Sequence, residues 1–223
     1  MTSAAAKNID NLKAELVRQK ELLCNIYQQN IKPNNPIFKI DFIFMGAINK
    51  ALANISAFLD LIEKENYLVA FAIVRMQLDV MLRFYAAILL DIDSRIKYSD
   101  TFLAGERIDK LQILIKNEKG KNIKQNLTDK FLCKHFEKTF GVDWVLRVYK
   151  QTSNFVHLSG VSFLFMVNKT SKEGESIKVR TGLHKDGKIQ IENEQLVDSF
   201  SCIVDITQRI LDCLTMWLKE KEA

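Results

Sequence analysis

The sequence predicts a mainly α-helical fold, a single-domain helical bundle of residues 1–223 with a small β-hairpin inserted before the C-terminal helix. Only 8 glycines and 2 prolines occur among the 223 residues, roughly a third of their average share of ~12%. A many-stranded sandwich or barrel needs turn residues every ~8–12 positions. Apolar residues instead recur at three- and four-residue steps along most of the chain. The alternation typical of strands is clear only between Ser176 and Glu192.

The first two predicted helices are separated by the segment 31–36, which holds both prolines. Thr2 or Ser3 can cap a first helix that runs to about Gln29. Because proline is tolerated in a first turn, a second helix begins near the end of this segment and runs to about Lys64. Their apolar stripes lie at Ile9, Leu12, Leu16, Leu23 and Ile26, and at Phe42, Met45, Ile48, Leu52, Ile55, Leu59 and Ile62.

A third helix is predicted from Tyr67 to about Asp91, and it is apolar nearly all round, as expected of a central helix. It is long enough to span a bilayer, but Arg75, Asp79 and Arg83 lie near its middle. Each would cost ~2.5–3.5 kcal/mol there. We therefore interpret it as the buried helix of a soluble protein and expect no membrane partner.

Three more helices are predicted before the hairpin. A polar one runs from Ser94 to about Asn117 and is followed by a Gly- and Lys-rich link, Glu118 to Asn126. Leu127 to Thr139 and Val142 to Leu158 form the next two, with Gly141 as the stop between them.

The hairpin insertion is predicted within residues 170–193. Residues 176–180 and 188–192 alternate polar and apolar side chains, with a Lys-Asp-Gly turn at 185–187. The stretch 170–175 is expected to be a flexible link, and 161–168 fits either a helix continuation or a third strand.

The last predicted helix runs from about Glu194 to Lys219. Its apolar stripe lies at Leu196, Phe200, Ile203, Ile206, Ile210, Leu214 and Trp217.

Composition and cysteine usage favour a reduced, cytoplasmic protein. Charged residues are 26% of the chain and the mean hydropathy is -0.05, values of an ordinary globular protein. The stretch from Met1 to Leu16 carries four charged residues and so lacks the apolar core of a secretory signal. The four cysteines show neither a C-x-x-C pair nor a zinc-ligand spacing, so we expect core fillers and no metal.

The net charge of +5 is unevenly distributed. One lysine-rich segment carries Lys110, Lys116, Lys119, Lys121, Lys124, Lys130, Lys134 and Lys138. Two interpretations are open: a solvated loop and helix face, or a funnel for a phosphate backbone.

Common catalytic signatures are missing from the sequence. It has no Gly-rich phosphate loop, no G-x-S-x-G elbow and no H-E-x-x-H, and we expect no cofactor. Of its three histidines we assign no role to His135 and His184. Two unusual polar features remain in the predicted helices.

The first feature is the set Arg75, Asp79 and Arg83, at i, i+4 and i+8 of the apolar third helix. Steps of four turn only ~40° each, so the three share one stripe. Ionised groups are rarely buried unless paired. Either they form an ion-pair chain that links helices, or the arginines meet an anionic ligand while Asp79 orients them.

The second feature is a polar stripe at Tyr149, Ser153 and His157, with Asn154 at i−3 to the histidine. One interpretation is a histidine whose ring is satisfied by a hydroxyl at a helix end. In the other, His157 performs acid–base or phosphate-contact work, and Ser153 or Tyr149 sets its tautomer.

Together these two features resemble the HEPN-like helical superfamily. The residues are Arg75-Met-Gln-Leu-Asp79 and Tyr149-x-x-x-Ser153-Asn154-Phe-Val-His157, and the likeness is greatest to an uncharacterised bacterial branch with an Arg-x-x-x-Glu helix and a Tyr-x-x-x-Ser-x-x-x-His helix. The resemblance implies a helical bundle that is often dimeric and found in toxin or phage-defence contexts. Its active members are metal-independent endoribonucleases with an Arg-x4-6-His motif.

The sequence departs from that motif. Arg147 and His157 are 10 positions apart, which on a helix is ~15 Å and ~80° off the same face. We therefore expect Arg75, from a facing helix, to work with His157.

Two hypotheses follow. In the first, the protein binds or cleaves RNA: Arg75 clamps a phosphate, His157 is the acid–base group, and the other five residues support them, namely Asp79, Arg83, Tyr149, Ser153 and Asn154. In the second, the chain is a non-catalytic helical module that forms a homodimer or docks a partner, and its charged stripe is structural.

Overall fold

A computed structural model describes residues 3–30, 37–116, 120–157, 167–173, 176–181 and 191–222. It is mainly helical, with a two-stranded antiparallel hairpin before the C-terminal helix, as the sequence predicted. Its helices are α1 (Ser3–Asn30), α2 (Lys39–Glu63), α3 (Tyr67–Leu89), α4 (Ile92–Leu103), α5 (Asp129–Phe140), α6 (Val145–Val156) and α7 (Asn193–Glu222). Its strands are β1 (Gln112–Lys116), β2 (Asn122–Asn126), β3 (Val167–Glu173) and β4 (Ser176–Thr181).

Helix α3 is central, which confirms its expected place. It packs against α2, α5, α6 and α7, while α1 covers α2 and α7. Aromatic rings fill the layers on either side of α2. Phe44 stacks on Phe84 with centroids 4.9 Å apart, and Phe58 meets Phe200 edge to face at 5.1 Å. Because α5 and α6 both contact α3, side chains from these two helices converge on it.

The buried face of α2 differs in part from the predicted stripe. Ile48 and Ile55 are buried as expected, but Phe42 is 55% exposed, and the core side is completed by Phe44 and Phe58. Helix α2 is apolar on more than one side, so the spacing of its apolar residues could not show which side faces the core. For the same reason α2 is, within the described part of the chain, the one helix long and apolar enough to cross a membrane. Core helices pass the same test.

The helix predicted from Ser94 to about Asn117 is confirmed as far as Leu103 and wrong beyond it. Helix α4 ends at Leu103, and Gly105 follows with a left-handed φ of 71°, the conformation that favours glycine after a helix. A 3₁₀ turn at Ile108–Lys110 then leads into β1, which pairs with β2 in antiparallel register. Residues 122–126 of the predicted Gly- and Lys-rich link are thus β2, the second strand of an additional hairpin.

The hairpin before α7 is confirmed, and within the described residues its strand β4 pairs with a strand that the sequence analysis did not expect. Strand β4 contains the predicted 176–180, but it pairs with β3, so the expected flexible link 170–175 is strand as far as Glu173. Only two residues separate the strands, a connection that favours hairpin pairing. The predicted turn 185–187, strand positions 188–190 and residues 161–166 lie outside the described residues, and Ile191 and Glu192 are not in a strand.

Buried ion pairs fix the end of α7 against α2 and α4. Asp41, which is 2% exposed, accepts hydrogen bonds from the Trp217 indole at 3.0 Å and the Lys221 ammonium at 2.9 Å. Nearby, the Arg95 guanidinium binds Glu220 at 2.9 Å and also donates to the carbonyl of Ala87. Because buried charges need such partners, these contacts tie the C-terminal end of α7 to the start of α2 and to α4.

Candidate functional site

The two polar stripes meet at Arg75. Its guanidinium pairs with Asp79 on the same helix, donates from Nε to Ser153 Oγ at 3.3 Å, and lies over the Tyr149 ring, 4.1 Å from its centroid. Phe71 packs edge to face on Phe155 one turn away. A cation–π contact, a hydrogen bond and an aromatic pair are therefore among the contacts that hold α6 on α3.

A fourth charged residue, Asp129, completes the cluster, and the sequence analysis did not single it out for this role. Its carboxylate pairs with Arg83 and lies 3.6 Å from Arg75 Nη2. Arg83 therefore pairs with Asp129, whereas Asp79 serves Arg75. We name the row Asp79, Arg75, Asp129 and Arg83 the charge chain. Its two positive and two negative charges balance.

Helix α5 places Asp129 for local reasons. Thr128 is the N-cap, and its side chain accepts a hydrogen bond from the Phe131 amide at 3.3 Å. Asp129 is then the first helical residue, where a negative charge is favoured by the helix dipole. The pattern Thr-Asp at a helix start is visible in the sequence, but its contact with α3 is not.

Burial is uneven along the charge chain. The side chain of Arg75 is 9% exposed, whereas those of Asp129 and Arg83 are 24% and 23% exposed and that of Asp79 is 43% exposed. Tyr149 covers one face of the Arg75 guanidinium. Solvent therefore reaches the carboxylates more readily than the arginine that was expected to clamp a phosphate.

Two further titratable groups near the charge chain, Cys133 and Tyr98, are neutral at pH 7. Burial raises the pKa of the Cys133 thiol to about 12, and the charge of Asp129 acts in the same direction. Burial also raises the pKa of Tyr98, whose hydroxyl donates to the Arg83 carbonyl at 3.2 Å. Neither group supplies a nucleophile near pH 7.

The remaining predicted residues lie along α6. Ser153 donates its hydroxyl proton to the Tyr149 carbonyl at 2.6 Å, and Asn154 Nδ2 donates to the Lys150 carbonyl at 3.3 Å. His157 follows the last residue of α6 and is exposed, one turn beyond Ser153. The described partners of Arg75 do not include His157. A phosphate shared by Arg75 and His157 stays a prediction.

His135 is half-buried, although the sequence gave it no role. Its Nδ1 lies 2.6 Å from the Tyr85 hydroxyl and 3.3 Å from Thr139 Oγ. Burial lowers the pKa of His135, and the charge of Lys138 lowers it further. The ring is therefore neutral at pH 7 and joins α5 to α3. His184 lies outside the described residues.

Two open clefts flank the charge chain. An apolar one of about 400 Å³ lies between α2, α3 and α4, with Asp79 and Arg83 on its wall. A polar one of about 450 Å³ is lined by Arg83 and Lys130, and by the carboxylates of Glu106, Asp109 and Asp129. Carboxylates outnumber cations in the polar cleft, which disfavours a bound phosphate.

The lysines of the segment from Lys110 to Lys138 lie away from these clefts for the most part. Those whose side chains are described are all exposed: Lys110, Lys121, Lys124, Lys130, Lys134 and Lys138. Within the same described residues, no group of three His, Cys, Asp or Glu side chains could hold a metal ion.

Comparison with known proteins finds no matching family model, no matching curated protein and no matching solved structure.

Truncating Arg75 tests whether the charge chain supports the fold. Arg75→Ala is expected to lower the free energy of unfolding by about 3 kcal/mol, because it leaves Asp129 partly buried with one fewer partner and exposes the Tyr149 face. Arg75→Lys should recover only part of this loss, since an ammonium lacks the forked geometry. The measurement is urea unfolding followed by circular dichroism.

The matched control is Arg147→Ala, which removes an exposed arginine from α6 and should change stability by no more than about 0.5 kcal/mol. Equal stability losses in the Arg75 and Arg147 variants would contradict a structural role for the charge chain.

Proposed function

We propose that the chain is a non-catalytic helical module that associates with a second copy of itself through one apolar face. The observation that supports this is the clustering of exposed apolar side chains. Of the thirteen large apolar side chains exposed in the described part of the chain, seven lie around the start of α2 and along α4. We name them the α2–α4 face: Ile37, Phe38, Phe42, Ile92, Ile96, Phe102 and Leu103.

The α2–α4 face follows two clefts: Ile37, Phe38, Ile92 and Ile96 line one, and Phe42, Phe102 and Leu103 line the other. Ile92, Ile96 and Leu103 are spaced i, i+4 and i+11, so they lie on one side of α4. Lys39 on α2 pairs with Asp100 on α4 at 2.6 Å across the two helices. A cleft of about 580 Å³, floored in part by Trp217, runs along this face. Clustered exposed apolar side chains mark interaction sites.

The charges bordering the face favour a second copy over a charged partner. Lys39 pairs with Asp100, Arg95 with Glu220, and Lys221 with Asp41. The border is therefore locally neutral and offers no field that attracts a polyanion. In a two-fold interface the same patch lies on both sides, so a neutral apolar patch meets no repulsion from its copy.

The charge chain supports the non-catalytic part of the proposal. Arg75 already contacts two carboxylates, one hydroxyl and one aromatic face. A phosphate would have to displace these partners from a side chain that is 9% exposed. Breaking a buried pair costs several kcal/mol, so Arg75 acts as a structural group in this proposal.

A second candidate function is RNA binding or metal-independent RNA cleavage of the HEPN-like type. One observation favours it: His157 is exposed at the end of α6, one turn from Ser153, and lysines stand exposed on β2 and α5. In this alternative His157 is the acid–base group and the lysines hold the phosphate backbone.

Association through the α2–α4 face is tested with Ile92→Glu and Ile96→Glu. The wild-type protein is expected to be a dimer, and each variant should dissociate at least ~10-fold more readily, because an isoleucine buried at an interface contributes ~1.5–3 kcal/mol. Both side chains are exposed in the single chain, at 71% and 55%, so the fold should persist. Sedimentation equilibrium measures the dissociation constant.

Leu114→Glu is the matched control, since Leu114 is 67% exposed on β1 and lies off this face. It should leave association unchanged. A wild-type chain that stays monomeric across the concentration series would refute the proposal.

The second candidate is tested by incubating RNA with pure protein in EDTA. General acid–base catalysis contributes ~10²–10⁴-fold, so a nuclease would lose at least ~100-fold of its cleavage rate in His157→Ala. Equal rates for wild type and His157→Ala, which the first proposal expects, exclude catalysis by this residue.

A further inference from the structure

The hairpin of β1 and β2 forms a two-stranded ribbon on the outside of the helical body. Its base is anchored by Leu111 and Leu127, which are 7% and 0% exposed, and the Leu127 amide donates to the Leu111 carbonyl at 3.0 Å. Beyond this base each strand contacts mainly the other strand. In the described part of the chain neither strand pairs with a third one. The ribbon is therefore two strands wide and ~17 Å long.

The two faces of the ribbon differ in chemistry. Side chains alternate between the faces along a strand, and residues paired across the strands share a face. Ile113, which is 5% exposed, and the half-buried Ile115 form the face toward the helices. The opposite face, which we name the outer face, carries exposed side chains at Gln112, Leu114, Asn122, Lys124 and Asn126. Three of these five side chains are amides.

Most of the net positive charge of the chain lies in this hairpin. Residues 110–126 hold five lysines and one glutamate, a net charge of +4, whereas the whole chain carries +5. The acidic residues that flank this segment are Asp109 and Asp129, and both are paired, with Arg107 and Arg83. The hairpin is thus the basic part of an otherwise nearly neutral chain, and its charge complements a polyanion.

The shape and the side chains of the ribbon favour one polyanion, double-stranded DNA. The major groove of B-form DNA is ~12 Å wide and admits a two-stranded ribbon. Asparagine and glutamine amides pair with adenine edges there, and apolar side chains contact the methyl group of thymine. The major groove of A-form RNA is too narrow for side chains to read. A ribbon whose outer face is rich in amides therefore fits DNA better than duplex RNA.

We propose that the outer face of the ribbon binds double-stranded DNA in its major groove. Gln112 and Asn126, which are cross-strand partners, contact base edges, and the ammonium group of Lys124 neutralises a phosphate at the groove wall. This binding goes beyond the proposed self-association and does not depend on it, because the ribbon shares no residue with the α2–α4 face.

The first test measures binding to a fluorescent DNA duplex of about 20 base pairs and random sequence, by anisotropy over a series of salt concentrations. Wild type is expected to bind with a dissociation constant of about 1–100 μM. Lys124→Gln should bind roughly 5–10-fold more weakly at about 0.1 M salt, and the slope of log K against log salt should fall by about 0.9. The matched control is Lys13→Gln, which removes an exposed lysine from α1 and should change neither quantity.

The second test concerns the amides. Selection from randomised DNA duplexes should enrich a preferred sequence, which wild type binds at least ~5-fold more tightly than a scrambled duplex. The double variant Gln112→Ala with Asn126→Ala should lose this preference. Both side chains are exposed, so the melting temperature should not change and a lost preference reports on binding.

The outcomes decide the proposal without touching the self-association. Absence of DNA binding by wild type, or equal binding by wild type and Lys124→Gln, would overturn it. Duplex RNA of the same sequence serves as the competing ligand, and equal affinity for RNA and DNA would overturn the role of the major groove. The dissociation constant of the homodimer is measured separately, so either proposal can fail while the other stands.

Discussion

The positive charge of Arg75 inside an otherwise apolar central helix is the constraint on which the arrangement around α3 depends. A guanidinium that is 9% exposed needs carboxylates and acceptors within reach. Asp79 is supplied by the same helix, but Asp129 has to come from α5 and Ser153 from α6. One side chain, Arg75, thus links both later helices to α3. Because its donors are engaged in these contacts, the proposed function rests on the α2–α4 face instead.

Most helices could be predicted because their periodicity is strong and their ends carry local signals. Gly141 adopts the left-handed φ of 64° expected after α5. The apolar stripe predicted for α7, from Leu196 to Trp217, is buried. The end of α4 could not be placed the same way. Gln112–Lys116 holds three consecutive apolar residues and so lacks the polar–apolar alternation of a strand, and its strand form depends on pairing with β2. The partner of β4 was missed for a similar reason, since β3 is mostly polar.

The candidate site was predicted as two stripes on facing helices, with Arg75 beside the second stripe, but Asp129 was not predicted as part of it. Spacing places Arg75, Asp79 and Arg83 on one side of a helix, but it contains no information on which neighbour faces them. Asp129 therefore took the place expected of Asp79 as the partner of Arg83. Likewise the apolar spacing of α2 gave no reason to expect Phe42 on the outside, because the packing of the neighbouring helices decides which apolar face is covered.

A double-mutant cycle on Arg75→Ala and Asp129→Ala tests the central claim most directly, since it isolates the interaction that joins α3 to α5. The free energies of unfolding of the wild type, both single variants and the double variant give the coupling energy. If the charge chain organises the fold, the coupling should be favourable by about 1–3 kcal/mol. A coupling near zero, with the two losses simply additive, would contradict the account.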